Sequence, residues 1–303
     1  MKLGDLSPAE AAARLAGGGC SLRFGPFVLR AQTNDGDVAA FAHHIYANHE
    51  VVDDEFADAT ITVHSSWDPT RPWHRKARMY LDGAPFTTSM SAHLGGPMLE
   101  WGLNWVIASR AHAYLQIHAG AVERNGRAVI LPATSGSGKS TLCANLISAG
   151  WRLFSDEFAV IAPETGEVVP MPRGVSLKNA SIAVAQRRHP AEEFSLTFRN
   201  TPKGDISILR APRSAIERAA ERRPPGAVVF PKWTAGAELA VTPVPRAQAL
   251  TRLVHNSINY TALGELGFQT MVRLVESVPI HDLVYSDTSP VLDWFERLAG
   301  DFR

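Results

Sequence analysis

The run Ala-Thr-Ser-Gly-Ser-Gly-Lys-Ser-Thr at 133–141 combines the residue types that bind phosphate groups. It fits the P-loop pattern, with alanine in place of the first glycine. Glycines let the backbone N–H groups surround phosphate oxygens, the lysine brings a positive charge to the β- and γ-phosphates, and the following serine is a magnesium ligand. The pattern therefore predicts that a nucleotide is bound by Ser135, Gly136, Ser137, Gly138, Lys139, Ser140 and Thr141, with Ser140 also on the metal.

The elements on either side of this loop have the order that such chemistry needs. The apolar run 127–131 is typical of a buried strand, and 140–149 is typical of a helix that ends at Gly150. The N-terminus of that helix adds its partial positive charge where the phosphates would lie. Asn125-Gly126 predicts a tight hairpin to a preceding strand at 114–123, so the loop strand should have an antiparallel neighbour.

Two acidic residues follow the next predicted strand, at 151–155. Phosphoryl transfer needs a carboxylate that accepts the proton of the attacking hydroxyl, and further oxygen ligands for magnesium. Asp156 is the candidate base, and Asp156 and Glu157 are candidate metal ligands. His118, on the strand that pairs with the loop strand, either hydrogen-bonds the catalytic carboxylate or is an ordinary core histidine.

A cation that stabilises the transferred phosphoryl group is a further recurrent requirement. Arg173 and Lys203 are the candidates, whereas Lys178 is expected to be a solvated surface charge. Lys203 falls in the segment 190–205, which is polar and poorly periodic and is predicted to be a mobile loop.

The composition excludes several classes of partner. Thirty basic and thirty acidic side chains in 303 residues give no net charge, so no nucleic acid or anionic membrane partner is expected. No apolar run approaches the ~20 residues that span a bilayer. The two cysteines suit a reducing compartment, no export signal is recognised, and a cytoplasmic location is expected.

The chain is expected to divide into an N-terminal α+β domain at 1–95, with a possible role in substrate binding, and a P-loop domain with C-terminal helices at 96–303. A helix at 97–110 is predicted to lie between these two parts. One strand at 21–29 is predicted among those of the first part.

Four segments together resemble the catalytic core of the HPr kinase/phosphorylase family, and in particular the related kinases that lack the HPr-specific regions. They are His118-Ala-Gly-Ala-Val, the P-loop, Gly-Trp-Arg-Leu-Phe-Ser-Asp-Glu at 150–157 and Pro-Arg-Gly at 172–174. The resemblance implies an α/β fold of the HPr kinase and phosphoenolpyruvate carboxykinase type with a mixed sheet. It implies ATP and Mg²⁺, Asp156 as general base supported by His118, Lys139 on the phosphates, and a possible homo-oligomer.

The chain departs from that family at Met171, where HPr kinases carry a metal-binding glutamate, and at Glu157, which replaces a second aspartate. The leading hypothesis is a Mg-ATP-dependent kinase with an alcohol acceptor, expected to be serine of a peptide or small protein. A kinase for a small molecule is one alternative. A nucleotide-binding regulator that no longer transfers phosphate is the other.

Overall fold

The structure is a computed structural model that describes residues 1–68, 70–134 and 136–302. The N-terminal part contains a mixed sheet with the strand order β1-β2-β3-β4-β5, and β6 also pairs with β4. Its elements are α1 (Pro8–Ala16), β1 (Cys20–Phe24), β2 (Phe27–Thr33), α2 (Gly36–Ile45), β3 (Ala59–Asp68), β4 (Arg71–Leu81), β5 (Ala84–Pro85), β6 (Met90–Ser91) and α3 (Gly95–Arg110). Short 3₁₀ helices occur at Leu3–Asp5 and Ala92–Leu94.

The single strand predicted at 21–29 is wrong, because a turn at Gly25 divides it into β1 and β2. Gly25 has φ of 59°, a conformation that favours glycine. A Cβ atom there would also lie 2.3 Å from the carbonyl oxygen of Pro170. The turn thus brings the N-terminal sheet into close contact with the chain that leads to Arg173.

The second sheet is mixed and has helices on both faces. It runs β11-β10-β7-β8-β15-β17-β16, with β9 on β7; β8, β15 and β17 are parallel and the other pairs are antiparallel. The strands are β7 (Leu115–Arg124), β8 (Arg127–Pro132), β9 (Arg152–Ser155), β10 (Phe158–Ile161), β11 (Val168–Val169), β15 (Pro225–Trp233), β16 (Ala240–Pro243) and β17 (Ile280–Tyr285). The predicted hairpin is confirmed, with positive φ at both Asn125 and Gly126.

Two pairs of helices cover this sheet. The apolar sides of α4 (Lys139–Ser148) and α9 (Thr288–Gly300) pack on one face, and those of α7 (Arg246–Asn256) and α8 (Tyr260–Ser277) pack on the other. The short helix α6 (Arg213–Glu217) precedes β15. This arrangement makes the protein a mixed α/β structure, as predicted. No helix in the described ranges is long and apolar enough to cross a membrane.

A small third sheet lies beside α3 and corrects the prediction of a loop at 190–205. Its order is β12-β14-β13, formed by β12 (Val175–Lys178), β13 (Phe198–Thr201) and β14 (Gly204–Leu209). Helix α5 (Ala180–Gln186) and a 3₁₀ helix at Ala191–Glu193 connect these strands. Strand β13 was missed because three of its four residues are polar, so it lacks the alternation that identifies a strand.

Helix α3 packs directly on the N-terminal sheet. A Cβ atom on Gly102 would lie 2.6 Å from the sulfur of Met79, so the helix and β4 approach closely at this glycine. The same hydrophobic core also contains Phe158 and Met171 from the second part of the chain. The N-terminal sheet, α3 and the strands around Asp156 therefore share one core.

His49 lies at this junction and predicts a pH dependence of stability. It is buried against Phe24, and its Nε2 donates a hydrogen bond to the carbonyl oxygen of Pro172 at 3.2 Å. Burial lowers the pKa of His49 to about 4. The unfolded chain therefore binds a proton between about pH 6.5 and 4 that the native state does not bind, which costs about 3 kcal/mol of stability by pH 4.

Urea unfolding at pH 7 and pH 4 checks this expectation. As the pH is lowered from 7 to 4, the free energy of unfolding should decrease more in the wild type than in His49→Phe, because the variant has no group that titrates at this position. An identical pH dependence in the two proteins would contradict it.

Candidate active site

The glycine-rich loop follows β8 and is held by contacts with the ends of β15 and β17. Gly136 and Gly138 have φ of 86° and 89°. A Cβ atom on Gly138 would lie 2.8 Å from the Cβ of Trp233, and the Trp233 amide donates to the Ser137 carbonyl at 2.9 Å. These contacts hold the loop at the N-terminus of α4, where free backbone N–H groups favour an anion. Ser135 lies outside the described residues, and Thr141 is half-buried in the first turn of α4.

Lys139 and the acidic pair are neighbours. The Lys139 side chain is buried, 8% exposed, and its Nζ donates a hydrogen bond to the backbone carbonyl of Asp156. Gly120 allows this approach, because a Cβ atom there would lie 2.6 Å from the sulfur of Cys143 and 3.5 Å from Cγ of Lys139. The glycine of the His-Ala-Gly segment therefore has a packing role: it lets α4 lie close to β7.

Asp156 has an unsatisfied carboxylate oxygen. The residue is 3% exposed; its Oδ2 accepts from the Ser176 amide at 3.3 Å, and its Oδ1 has no hydrogen-bond partner among the described residues. Burial raises the pKa of Asp156, although the Lys139 charge and the neighbouring Ser140 hydroxyl act in the opposite direction. Since a buried polar atom is almost always paired in a working protein, this oxygen is suited to accept a proton or to bind a metal ion.

The residues around the acidic pair could bind a magnesium ion that has only a few protein ligands. No cluster of three or more His, Cys, Asp or Glu side chains within 1–68, 70–134 and 136–302 could hold a metal by itself. Magnesium usually binds one or two carboxylates and completes its shell with water and substrate phosphates. The Ser140 hydroxyl, at the start of α4, and the free Oδ1 of Asp156 are such a donor set.

His118 lies beside Glu157. Its Nδ1 is 3.8 Å from Oε2 of Glu157, which is an ion-pair distance but too long for a hydrogen bond, and no hydrogen bond between described atoms joins it to Asp156. Burial and the charge of Lys139 lower the pKa of His118. Burial would raise the pKa of Glu157, but the charges of Lys139 and His118 reverse this and lower it. The surrounding positive charges therefore favour the ionised form of Glu157.

Arg173 is held in a polar network that the sequence did not predict. It is 4% exposed; its Nη1 lies 3.6 Å from Oε2 of Glu100, and its Nη2 donates to Oδ1 of Asn104. The hydroxyl of Tyr46 donates to Oε1 of Glu100 at 2.6 Å. Burial raises the pKa of Glu100, with Arg173 opposing the shift. The only trace of this network in the sequence is the spacing of Glu100 and Asn104, which places both on one face of α3.

A small cavity, about 20 Å³ in volume, lies between α3 and the β12-β14-β13 sheet. Glu157, Lys178 and Lys203 all line it. Lys178, expected to be fully solvated, is half-buried there, and Lys203 is exposed at its edge. Lys203, one of the two predicted cations for the transferred phosphoryl group, thus lines the same cavity as Glu157.

A wider groove of about 890 Å³ begins at the glycine-rich loop and extends over the ends of β15 and β17. Its walls include Phe230, Trp233, Arg252 and Asp282, none of which was predicted. The Arg252 guanidinium lies 3.7 Å from the centre of the Phe230 ring and pairs with Asp282 at 2.7 Å. Thr134, Gly136 and Ser137 of the loop also line the groove, so the groove is continuous with the loop.

Comparison with solved structures finds similarity to the HPr(Ser) kinase/phosphatase from Coxiella burnetii, with 11% sequence identity and a TM-score of 0.29. The match covers 61% of this chain and 94% of that chain. No protein-family model matches the sequence, and no curated protein matches it. Similarity at this level does not define a family for the chain.

Proposed function

We propose that the protein is a Mg-ATP-dependent P-loop kinase of the HPr kinase and phosphoenolpyruvate carboxykinase type. It would transfer the γ-phosphate of ATP to a hydroxyl group, with serine of a peptide or small protein as the expected acceptor. One observation carries the proposal: the lysine of a glycine-rich loop contacts the backbone of a buried aspartate that has an unpaired carboxylate oxygen. A nucleotide phosphate and a proton-accepting group would thus meet in one place.

In the proposed reaction, the acceptor oxygen forms a bond to the γ-phosphorus while the bond to the β–γ bridging oxygen breaks. The acceptor proton moves to the carboxylate of Asp156, and ADP leaves with the bridging oxygen. A raised pKa makes Asp156 a better proton acceptor than an exposed aspartate. The Lys139 ammonium and the N–H groups at the start of α4 stabilise the phosphate charge.

Magnesium, when bound, would neutralise charge on the phosphate oxygens. Ser140 and Asp156 are the residues that would hold it, with Glu157 next to them. His118 would act on Glu157 rather than directly on Asp156, because its Nδ1 lies 3.8 Å from the carboxylate of Glu157. Arg173, which is buried against Glu100, would support the site through its charge and would not contact the nucleotide.

A small-molecule acceptor is a second candidate, favoured by the size of the cavity beside Glu157. A cavity of about 20 Å³ holds little more than one water-sized group.

Met171, in place of a metal-binding glutamate, is completely buried in the hydrophobic core, so this position contributes no metal ligand. A nucleotide-binding regulator is the remaining alternative, and binding without turnover would identify it.

Nucleotide selectivity tests the phosphate site. With Mg²⁺ present, calorimetry is expected to show tight binding of ATP and ADP and at least ~10-fold weaker binding of AMP, because the loop and Lys139 recognise the outer phosphates. Equal affinity for AMP, or no binding of any of the three, would contradict the proposal.

A further inference from the structure

The cavity between α3 and the β12-β14-β13 sheet adjoins the proposed catalytic carboxylate. Glu157, the residue after Asp156, forms part of its wall. Ser176 also lines it, and the amide of Ser176 donates to Oδ2 of Asp156. A small group that enters this cavity therefore lies next to the peptide unit that carries the catalytic base.

The acidic side chains that line the cavity have close partners, whereas its two lysines do not. Glu100 is already bound by the Tyr46 hydroxyl and lies beside Arg173. Glu157 is close to His118, and the charges of Lys139, Arg173 and Lys178 also act on it. By contrast, the ammonium groups of Lys178 and Lys203 have no ion pair and no hydrogen bond within the described part of the chain. The cavity thus presents two ammonium groups that have no close ion pair, one of which, Lys178, is near enough to Glu157 to act on its charge.

These lysines line a different space from the groove at the glycine-rich loop. The groove that continues the phosphate loop and the cavity beside Glu157 have no lining residue in common. The groove has its own cations, Lys232 and Arg252. Lys178 and Lys203 are therefore placed to contact the acceptor and not ATP.

We propose that the phosphoryl acceptor carries an anionic group, a carboxylate or a phosphate, close to its hydroxyl, and that Lys178 and Lys203 bind this group. This inference rests on the kinase function proposed above. The anion would form charge-assisted hydrogen bonds with the two ammonium groups, while the hydroxyl enters the cavity toward Asp156. A neutral alcohol would give neither ammonium group a hydrogen-bonded anion.

Two matched pairs of probes distinguish recognition of the anionic group from recognition of the hydroxyl group alone. In one pair, N-acetyl-Ser-Glu-amide is compared with N-acetyl-Ser-Gln-amide; in the other, glycerate is compared with glycerol. The first pair represents an acidic peptide segment and the second a small hydroxy acid. Binding is measured by calorimetry with and without Mg²⁺ and a non-hydrolysable ATP analogue, so the result does not depend on turnover.

The anionic member of at least one pair is expected to bind at least ~10-fold more tightly than its neutral partner. The double variant Lys178→Gln/Lys203→Gln should lose that preference and keep wild-type affinity for the ATP analogue. Lys76→Gln, on the N-terminal sheet, is the control and should keep both. Thermal unfolding of each variant verifies that it is folded.

Equal affinity for the anionic and neutral members, weak or strong, would overturn this inference. A preference that survives in the double variant would do so as well. Failure of the wild type to bind the ATP analogue would instead contradict the kinase function, so the two failures are distinguishable.

Discussion

Asp156→Asn is expected to lower the rate of phosphoryl transfer by about 10²–10⁴-fold and to leave ATP affinity within about twofold of the wild type. The amide has nearly the shape of the carboxylate but cannot accept the acceptor's proton. Lys139 contacts the backbone carbonyl of residue 156, and that contact does not depend on the side chain. Because burial disfavours the charged carboxylate, stability should not fall at neutral pH. Single-turnover transfer, calorimetry and urea unfolding measure the three quantities.

The pH profile is a second readout of the same substitution. A base acts only when deprotonated, so the wild-type rate should fall as the pH drops through the pKa of Asp156, which is raised by burial. The Asn variant should lack this acidic limb. Asp301→Asn, at the exposed end of α9, is the control and should retain both the rate and the limb. Transfer at the wild-type rate in Asp156→Asn would remove this residue from the base role.

Gly138→Ala is expected to weaken ATP binding by at least about 10-fold, since a non-glycine residue at positive φ costs roughly 1–2 kcal/mol. The new methyl group would also meet the Cβ of Trp233 at 2.8 Å, which is closer than carbon atoms approach. The loop must then move, and its N–H groups lose their common direction. Calorimetric titration with MgATP measures the loss.

Gly36→Ala is the matched control for this substitution. Gly36 is the first residue of α2, has no positive φ, and has open space around its Cβ position. Alanine there should leave ATP affinity unchanged. Equal affinity of Gly138→Ala and Gly36→Ala would show that the loop geometry does not determine binding.

The local features of the site could be predicted because each depends on neighbouring residues in the sequence. The loop glycines, the Asn125-Gly126 turn and the strand before Asp156 are such features. The partner of His118 is different, because it depends on the register between β7 and β10. That register pairs His118 with Phe158 and brings its side chain toward Glu157.

Contacts between distant segments were not predictable. Tyr46, Glu100 and Arg173 meet only because α2, α3 and the chain before β12 pack on one core. Arg252 and Phe230 likewise come together from α7 and β15. Neither set has a motif or a fixed spacing, so only the three-dimensional packing identifies it.

The decisive measurement is phosphoryl transfer from ATP labelled at the γ-position, with Mg²⁺, into hydroxyl acceptors that include serine peptides, hydroxy acids and a cell extract. Wild type and Asp156→Asn are run side by side, and products are identified by mass spectrometry. A phosphorylated alcohol made by the wild type and lost in Asp156→Asn is the predicted result. Tight MgATP binding with no labelled product from either protein would contradict the kinase function and identify a nucleotide-binding regulator.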